Sequence, residues 1–206
     1  MRVVAIIQAR LGSTRLPNKV LERFGGYAAI EHVYLRARTA CFHTVVAVPA
    51  ADLKLLRACA GMGIPTFAWG GPENDVLGRY RAAAAAHRAD LVVRITSDCP
   101  FVQPAHIQAV VALAKLHGFA AIGPYYGWSD GLDVEAFHAS ALAGFTDHEH
   151  VTKGREPAAW ITCADNFSRH RWTLDTPDDL TWFKRISEHM NVKPPFHPTM
   201  DELLAA

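Results

Sequence analysis

The 206-residue sequence is poor in cysteine, has no long apolar run and carries almost no net charge. Its four cysteines lie far apart without a Cys-x-x-Cys pair, which excludes a zinc ribbon and a disulfide framework and favours reduced thiols in a cytoplasmic protein. The first apolar segment covers only residues 3–7, well short of the roughly 18 residues that a membrane helix needs. With 21 basic against 20 acidic residues, the formal net charge is +1 and indicates no polyanionic partner. Neither nucleic acid nor a membrane is therefore expected as a partner.

Two common nucleotide-binding signatures are also missing, namely GxxxxGK followed by Ser or Thr, and GxGxxG. In their place, the segment ARLGSTRLPNK follows an apolar run and carries three cations, Arg10, Arg15 and Lys19. The segment also contains Gly12 and Ser13, and glycine permits a backbone path that turns successive N–H groups toward one anion. Arginine can hold phosphate oxygens with two N–H groups, and lysine adds a point charge. The segment therefore predicts a triphosphate-binding loop, with a solvated surface loop as the alternative.

Short apolar segments rich in β-branched residues alternate with helical patterns along most of the chain. This alternation predicts right-handed crossovers and an open, mostly parallel sheet flanked by helices, the Rossmann-like α/β class. In such sheets ligands bind at the carboxyl ends of the strands, so the segments 10–19 and 96–100 should meet in space. We predict strands at 3–9, 44–48, 64–69, 90–96, 119–123 and 171–175, and helices at 28–39, 50–61, 75–88, 104–117 and 177–189.

Two carboxylates follow predicted strands and are candidates for a metal site. Asp98 comes after strand 90–96 and would face the cationic loop, where one carboxylate can hold Mg²⁺ together with water and phosphate oxygens. The alternative for Asp98 is a turn residue that caps the next helix. Asp175 follows the last predicted strand and is open to both interpretations, since Asp-Thr-Pro is also a helix start. Asp178 and Asp179 lie in the first turn of that helix, favour its dipole and are interpreted as structural.

After residue 123 the pattern changes, and the region 124–170 is interpreted as a lid or second-substrate wall within a single domain of residues 1–206. Within this region, Asp133 and Glu135 would project from one face of a strand, where two carboxylates need a cation or a polar ligand. An exposed edge strand is the alternative. An anionic second substrate needs cations in an enclosed site, and four residues of the later region are candidates for binding it. For each of them, a solvated surface charge is the alternative. These candidates are His150, Lys153, Arg155 and Arg171.

Six segments occur in the order found in one enzyme family: IIQARLGSTRLPNKVL, GGPENDVLGRY, VVRITSDCPF, DGLDVEAF, EHVT and TLDTPDDL. Over most of its length the sequence resembles the cytidylyltransferases of the spore coat polysaccharide biosynthesis protein F group, which are similar to acylneuraminate and 3-deoxy-manno-octulosonate cytidylyltransferases. The resemblance implies a glycosyltransferase-A-like nucleotidyltransferase that binds CTP and Mg²⁺. It implies transfer of CMP to an anionic acceptor (a sugar acid, phosphonate or phosphate) with release of pyrophosphate. It also implies that two copies could associate as a homodimer.

The resemblance implies roles for residues at matching positions. Lys19, Arg10 and Arg15 would be the catalytic cations, and Asp98 and Asp175 would bind the metal. The acceptor would bind beside Asp133, Glu135 and the four cationic candidates of the later region. The expected nucleotide-binding residues are Gln8, Ala9, Arg10, Gly12, Ser13, Arg15, Lys19, Asn74, Asp75, Arg79, Thr96 and Ser97.

This sequence departs from the family pattern in places. Asn18 stands where glycine is usual, and asparagine tolerates a left-handed backbone well enough to keep the loop. His148 stands where arginine is common, and the segment between Thr152 and Arg171 is short, so the acceptor is expected to be smaller than, or unlike, a nonulosonic acid. Two alternatives stay open. One is a sugar-phosphate nucleotidyltransferase that uses UTP, GTP or ATP, and the other is a noncatalytic nucleotide-binding subunit of a biosynthetic complex.

Overall fold

The structure is a computed structural model that describes residues 1–148, 151–152, 155–189 and 203. Its strands are β1 (Val3–Gln8), β2 (Arg23–Phe24), β3 (Tyr27–Ala28), β4 (His43–Pro49), β5 (Thr66–Trp69), β6 (Leu91–Thr96), β7 (Phe119–Ile122), β8 (Val134–His138) and β9 (Ala159–Trp160). Its α-helices are α1 (Ala29–Ala40), α2 (Leu53–Gly61), α3 (Val76–Ala86), α4 (Pro104–His117) and α5 (Pro177–His189). None of these helices is long and apolar enough to cross a membrane.

The strand β1 is apolar on both faces because helices cover both of its sides. Val4 and Ile6 face an apolar cluster that includes Tyr80 of α3, while Ala5 and Ile7 face a larger cluster built with α1 and α4. These four residues are fully buried. A continuous apolar run of this kind is typical of a parallel strand inside an α/β sheet. The sheet therefore forms the middle layer between two layers of helices.

The main sheet has seven strands in the order β5-β4-β1-β6-β8-β7-β9. Its neighbouring strands are parallel except for the two pairs that involve β8. The prediction of an α/β fold with a mostly parallel sheet is confirmed. Because β8 runs against its neighbours, the first residues of β8 lie at the carboxyl edge of the sheet. Glu135 is thereby paired in register with Arg94 of β6.

The region 124–170, predicted as a lid or second-substrate wall, contributes two strands to the sheet. Its strand β8 lies between β6 and β7, and β9 pairs with β7 at the sheet edge. Between these strands lies a 3₁₀ segment at Ala139–Gly144. Part of this region is therefore scaffold of the sheet.

The prediction of a strand at 171–175 is wrong. Among the described residues, this segment pairs only through an isolated bridge between Arg171 and Asp130. The alternating pattern has a different cause, since Trp172 and Leu174 are buried in an apolar cluster that includes Phe183 of α5. A two-residue period arises here from packing against a helix, and Asp175 follows an extended loop.

This apolar cluster also anchors the loop that follows β1. Leu16 of that loop and Phe24 of β2 belong to the same cluster as Phe101 and Phe183. The ring centroids of Phe24 and Phe183 lie 4.9 Å apart, and those of Phe101 and Phe183 lie 4.8 Å apart. Packing of α5 therefore sets the position of the loop 10–19 relative to Asp175, which lies just before α5.

Candidate active site

The predicted meeting of the two loops occurs where β1 and β6 end side by side. Gln8 is in register with Thr96, and the Ser97 N–H donates to the Gln8 carbonyl at 3.2 Å. A cavity of about 520 Å³ opens at this edge. Its lining includes Asp98, Asp175 and all the predicted nucleotide-binding residues except Asp75, together with three residues that were not predicted, Thr14, Val76 and Arg94.

A second, more open groove of about 990 Å³ lies at the opposite edge of the sheet. Its lining includes the exposed side chains of Phe42 and Leu116 and the first residues of β1 and β4. Large volume does not make it the better candidate, because ligands of open parallel sheets bind at the carboxyl ends of the strands. The smaller cavity also combines several cations with two carboxylates, which is the chemistry that a metal–triphosphate complex needs.

At the centre of the cavity, Lys19 lies between the two predicted metal-binding carboxylates. Its Nζ donates to Asp98 Oδ2 at 2.7 Å and to Asp175 Oδ1 at 2.6 Å. Burial alone would lower the pKa of Lys19, but the two carboxylates outweigh it and raise that pKa. Burial likewise opposes ionisation of Asp98, and the Lys19 ammonium outweighs it, so the pKa of Asp98 lies below its ordinary value. Lys19 and Asp98 are therefore both charged at neutral pH.

The same geometry tests whether these residues fit a divalent cation. One oxygen of each carboxylate lies within 2.7 Å of a single positive charge, so the two side chains already converge on one point. Mg²⁺ prefers oxygen ligands and is commonly held by one or two carboxylates plus substrate phosphates. In the described part of the chain, no group of three or more His, Cys, Asp or Glu side chains forms an all-protein metal site. Asp98 and Asp175 therefore fit a metal that shares its coordination with a nucleotide.

Asp175 is held from its outer side by two arginines. Its Oδ2 accepts from Arg171 Nη2 at 2.7 Å and lies 3.0 Å from Arg15 Nη2. Asp179 Oδ2 accepts from the Asp175 and Thr176 N–H groups, both at 2.8 Å, which supports the structural interpretation of Asp179. Arg171, predicted to bind the acceptor, is thus engaged with acidic side chains of the protein at Asp130, Asp175 and Asp179.

The other wall of the cavity links the loop after β1 to the start of α3. Arg10 Nη1 donates to Asn74 Oδ1 at 2.8 Å, and its side chain is 47% exposed. Arg79 is almost fully buried and donates to the carbonyl oxygens of Ala9 and Glu73 at 3.5 and 2.8 Å. Arg10 can therefore turn toward a ligand, whereas Arg79 ties the two segments together.

Asp75 lies just outside the cavity lining and caps α3. Its Oδ1 accepts from the Gly78 N–H at 2.8 Å and lies 2.7 Å from His148 Nδ1. Burial opposes its ionisation, but the hydrogen bonds from His148 and Gly78 lower the pKa of Asp75. His148 therefore joins the segment after Phe145 to the start of α3.

Asn18 has the left-handed backbone that the sequence predicted, with φ 59° and ψ 20°. For most residues this conformation costs about 1–2 kcal/mol, whereas glycine and asparagine adopt it readily. We expect Asn18→Ala to lower the free energy of unfolding by about 1 kcal/mol, with Asn18→Gly as the matched control that keeps the wild-type value. Urea denaturation of the three proteins measures the difference, and equal stabilities of the Ala and Gly variants would contradict it.

On the β8 side of the site, Arg94 forms an ion pair that the sequence reasoning missed. Arg94 Nη1 donates to Glu135 Oε2 at 3.1 Å, and the Thr152 hydroxyl donates to Glu135 as well. Burial alone would lower the pKa of Arg94, but Glu135 outweighs burial and raises that pKa above its ordinary value. An available signal was the single charge inside the apolar run LVVRIT. A buried charge is expected to have a partner, but sequence alone could not identify the antiparallel neighbour.

The remaining predicted acceptor residues have different surroundings. Asp133 accepts a hydrogen bond from the Gly131 N–H at 2.9 Å and lies next to the start of β8. Arg155 donates to the Gly144 carbonyl and lies over the Phe145 ring at 5.8 Å, and it does not line the cavity. His150 and Lys153 lie outside the described residues. The structure therefore brings Glu135 next to a cavity-lining residue and leaves Arg155 apart.

Burial raises the pKa of Asp133 from 3.8 to about 6. Between these two values the folded protein keeps a proton that the unfolded chain has lost, so stability falls as pH rises through this window. We expect Asp133→Asn to be more stable than the wild type at pH 7–8, by up to about 3 kcal/mol at 1.36 kcal/mol per pKa unit. The difference should vanish below about pH 4, where the acid is protonated in both states. Urea denaturation from pH 4 to 8 measures it, and a pH-independent difference would contradict this account.

The comparisons with known proteins agree with this geometry. A family profile described as Cytidylyltransferase matches residues 4–142. The spore coat polysaccharide biosynthesis protein SpsF of Bacillus subtilis is 32% identical over 93% of this chain and 89% of its own length. A 3-deoxy-manno-octulosonate cytidylyltransferase of Solibacter usitatus is 30% identical over 53% of this chain and 44% of its own length. The chain thus spans less than half the length of several curated relatives that it matches.

Solved structures show the same fold. A cytidylyltransferase from Leptospira borgpetersenii aligns with a TM-score of 0.87 and 25% identity over 100% of this chain and 93% of that chain. A CMP:2-keto-3-deoxy-manno-octonic acid synthetase complexed with CTP aligns with a TM-score of 0.67 and 16% identity over 93% and 99% of the two chains. Rv0371C of Mycobacterium tuberculosis, in complex with manganese, aligns at 0.65 and 15% identity over 90% and 99%. The family profile covers most of the chain and SpsF matches nearly its full length, so this protein belongs to the cytidylyltransferase family.

Proposed function

We propose that this protein transfers CMP from CTP to an anionic acceptor, in the first place a sugar acid, with release of pyrophosphate. The observation that carries the proposal is the Lys19 ammonium between Asp98 and Asp175, at the end of a loop with two further cations, in one cavity. The related synthetase with bound CTP and the relative that acts on 3-deoxy-manno-octulosonate support CTP and a sugar acid as the substrates.

The acceptor oxygen attacks the α-phosphorus of CTP, and the bond between that phosphorus and the bridging oxygen to the β-phosphate breaks. The electron pair of this bond leaves with pyrophosphate, and a hydroxyl acceptor passes its proton to water. Transfers of this kind depend on positioning and on charge neutralisation more than on a protein nucleophile. Lys19, Arg10 and Arg15 stabilise the charge that develops on pyrophosphate, since all three lie on the loop 10–19 and line the cavity.

Asp98 and Asp175 are the residues that would hold a divalent cation, Mg²⁺ or Mn²⁺. When bound, such an ion polarises phosphate oxygens and neutralises part of their charge. Arg15 and Arg171 hold Asp175 in place on its outer side. The manganese in the related Rv0371C structure supports a divalent ion in this fold. Two further predictions from the sequence, a homodimer and a cytoplasmic location, belong to this proposal as well.

The test is pyrophosphate release with CTP, UTP, GTP or ATP in the presence of Mg²⁺ or Mn²⁺. Acceptors to compare are 3-deoxy-manno-octulosonate, N-acetylneuraminate, sugar phosphates and small phosphonates. We expect release with CTP and a sugar acid only. Release with another nucleotide and a sugar phosphate would favour the alternative nucleotidyltransferase. CTP binding without release for any acceptor would favour a noncatalytic subunit.

A further inference from the structure

Arg94 is a cation in the cavity wall that lies outside the proposed phosphate loop, residues 10–19. It lies within β6, and its side chain is 17% exposed. Its Nη1 donates to Glu135, whereas its buried Nε has no hydrogen-bond partner among residues 1–148, 151–152, 155–189 and 203. A guanidinium carries five N–H donors. Within the described chain, the acceptors around Arg94 are therefore fewer than its donors.

Glu135 fixes the orientation of Arg94. The two residues lie directly opposite each other in the antiparallel pairing of β6 with β8. The Thr152 hydroxyl lies 2.8 and 2.9 Å from the two carboxylate oxygens of Glu135, so this carboxylate is held from a second side. Glu135 therefore acts through Arg94 and is a positioning residue.

Of the four other cavity cations, Arg79 ties Ala9 to Glu73, and the proposed function assigns the remaining three to the nucleotide. Lys19 and Arg15 contact the carboxylates Asp98 and Asp175, and Arg10 contacts Asn74 near the start of α3. All of these lie on the loop that follows β1. Arg94 and Glu135 lie on β6 and β8, the two strands that follow β1 in the sheet order on the side away from β4. Arg94 is therefore the cavity cation to which the proposed function gives no role.

We propose that Arg94 binds the carboxylate of the acceptor and that Glu135 holds the guanidinium in place for it. This inference rests on the proposed function and names the residue that selects the acceptor class. A planar guanidinium can donate two parallel N–H groups to the two oxygens of a carboxylate, a match that lysine does not provide. Arg94 takes no part in bond making.

The test separates the two binding sites by calorimetry with full-length protein. CTP with Mg²⁺ is titrated first, and then 3-deoxy-manno-octulosonate, N-acetylneuraminate and their methyl esters are titrated into protein saturated with α,β-methylene-CTP. The variants are Arg94→Gln, Arg94→Lys and Glu135→Gln. The matched control is Arg57→Gln, an exposed arginine on α2.

We expect Arg94→Gln to weaken acid binding by about 10–100-fold, the range for loss of a charged hydrogen bond, with CTP affinity within about twofold of wild type. Arg94→Lys should restore part of the affinity, and the methyl esters should bind wild type and variant equally weakly. Glu135→Gln keeps the guanidinium, so it tests the inference even if Arg94→Gln does not fold, and it should weaken acid binding alone.

Four results would overturn the inference. Unchanged acid affinity in both Arg94→Gln and Glu135→Gln would remove Arg94 from the acceptor site. An equal loss of acid and CTP affinity would indicate a general structural role. Binding of CTP but of neither acid to the wild type would overturn the carboxylate as the acceptor group while leaving nucleotide binding intact. If CTP itself does not bind, the proposed function fails and this inference fails with it.

Discussion

Replacing Lys19 with alanine should lower kcat by ~10²–10³-fold, by analogy with the loss of one preorganised charge-stabilising group. Lys19 Nζ lies within 2.7 Å of both Asp98 and Asp175, at the point where the phosphate loop meets the two carboxylates. Alanine removes the charge without disturbing the apolar cluster that anchors the loop. Steady-state pyrophosphate release measures the effect, with Lys115→Ala, an exposed lysine near the end of α4, as the control.

The same variant has a second expected property. Without the ammonium, Asp175 keeps its pairs with Arg15 and Arg171, but no positive charge lies between the two carboxylates, and like charges at close range disfavour each other's ionisation. Mg²⁺ or Mn²⁺ should therefore raise the melting temperature of Lys19→Ala more than that of the wild type in the absence of nucleotide. Near-normal turnover, or equal metal responses in the two proteins, would contradict the role given to Lys19.

Replacing Asp98 with asparagine should abolish turnover that depends on the divalent ion, a loss of more than about 10²-fold on the same scale. Asparagine is nearly isosteric but neutral, so Asp175 alone would remain to hold the cation and to pair with Lys19. The Asp98 side chain is 27% exposed at the end of β6 and reachable from the cavity. The measurement is the rate of pyrophosphate release as a function of metal concentration.

The control for Asp98→Asn is Asp165→Asn, which removes a carboxylate from an exposed turn outside the cavity. The control variant should keep the wild-type rate and metal dependence. An Asp98→Asn enzyme with an unchanged half-saturating metal concentration would remove Asp98 from the metal site. A loss of rate without a change in metal dependence would indicate a role in positioning Lys19 instead.

The meeting of the loop 10–19 with the segment 96–98 was predictable because each follows directly on an apolar strand. The run from Val3 to Ile7 and the run LVVRIT have the pattern of buried parallel strands, and parallel strands bring the segments that follow them to one edge. Asn18 was predictable for a local reason too, since few side chains tolerate its backbone. These inferences use short-range rules that the tertiary structure does not override.

The position of Glu135 beside Arg94 was less predictable, because it depends on long-range pairing. Nothing in the local pattern of DGLDVEAF shows that β8 enters the sheet antiparallel between β6 and β7, and that pairing alone places Glu135 beside Arg94. The two-residue period of the segment 171–175 predicts a strand, but such a period does not distinguish pairing in a sheet from packing against α5. For Arg171 the sequence leaves an acceptor-binding cation and a surface charge open, because it does not identify the three acidic neighbours of this side chain.

The apolar cluster under α5 links the chemistry of the site to the end of the described chain. Leu16 of the phosphate loop shares this cluster with Phe183 and Ile186, and Asp175 directly precedes the helix. Segments that share a core tend to open together in native-state hydrogen exchange. The phosphate loop and α5 should therefore behave as one cooperative unit with a common opening free energy. A substitution in α5 far from any substrate could then reduce activity by increasing the fraction of molecules whose loop is open.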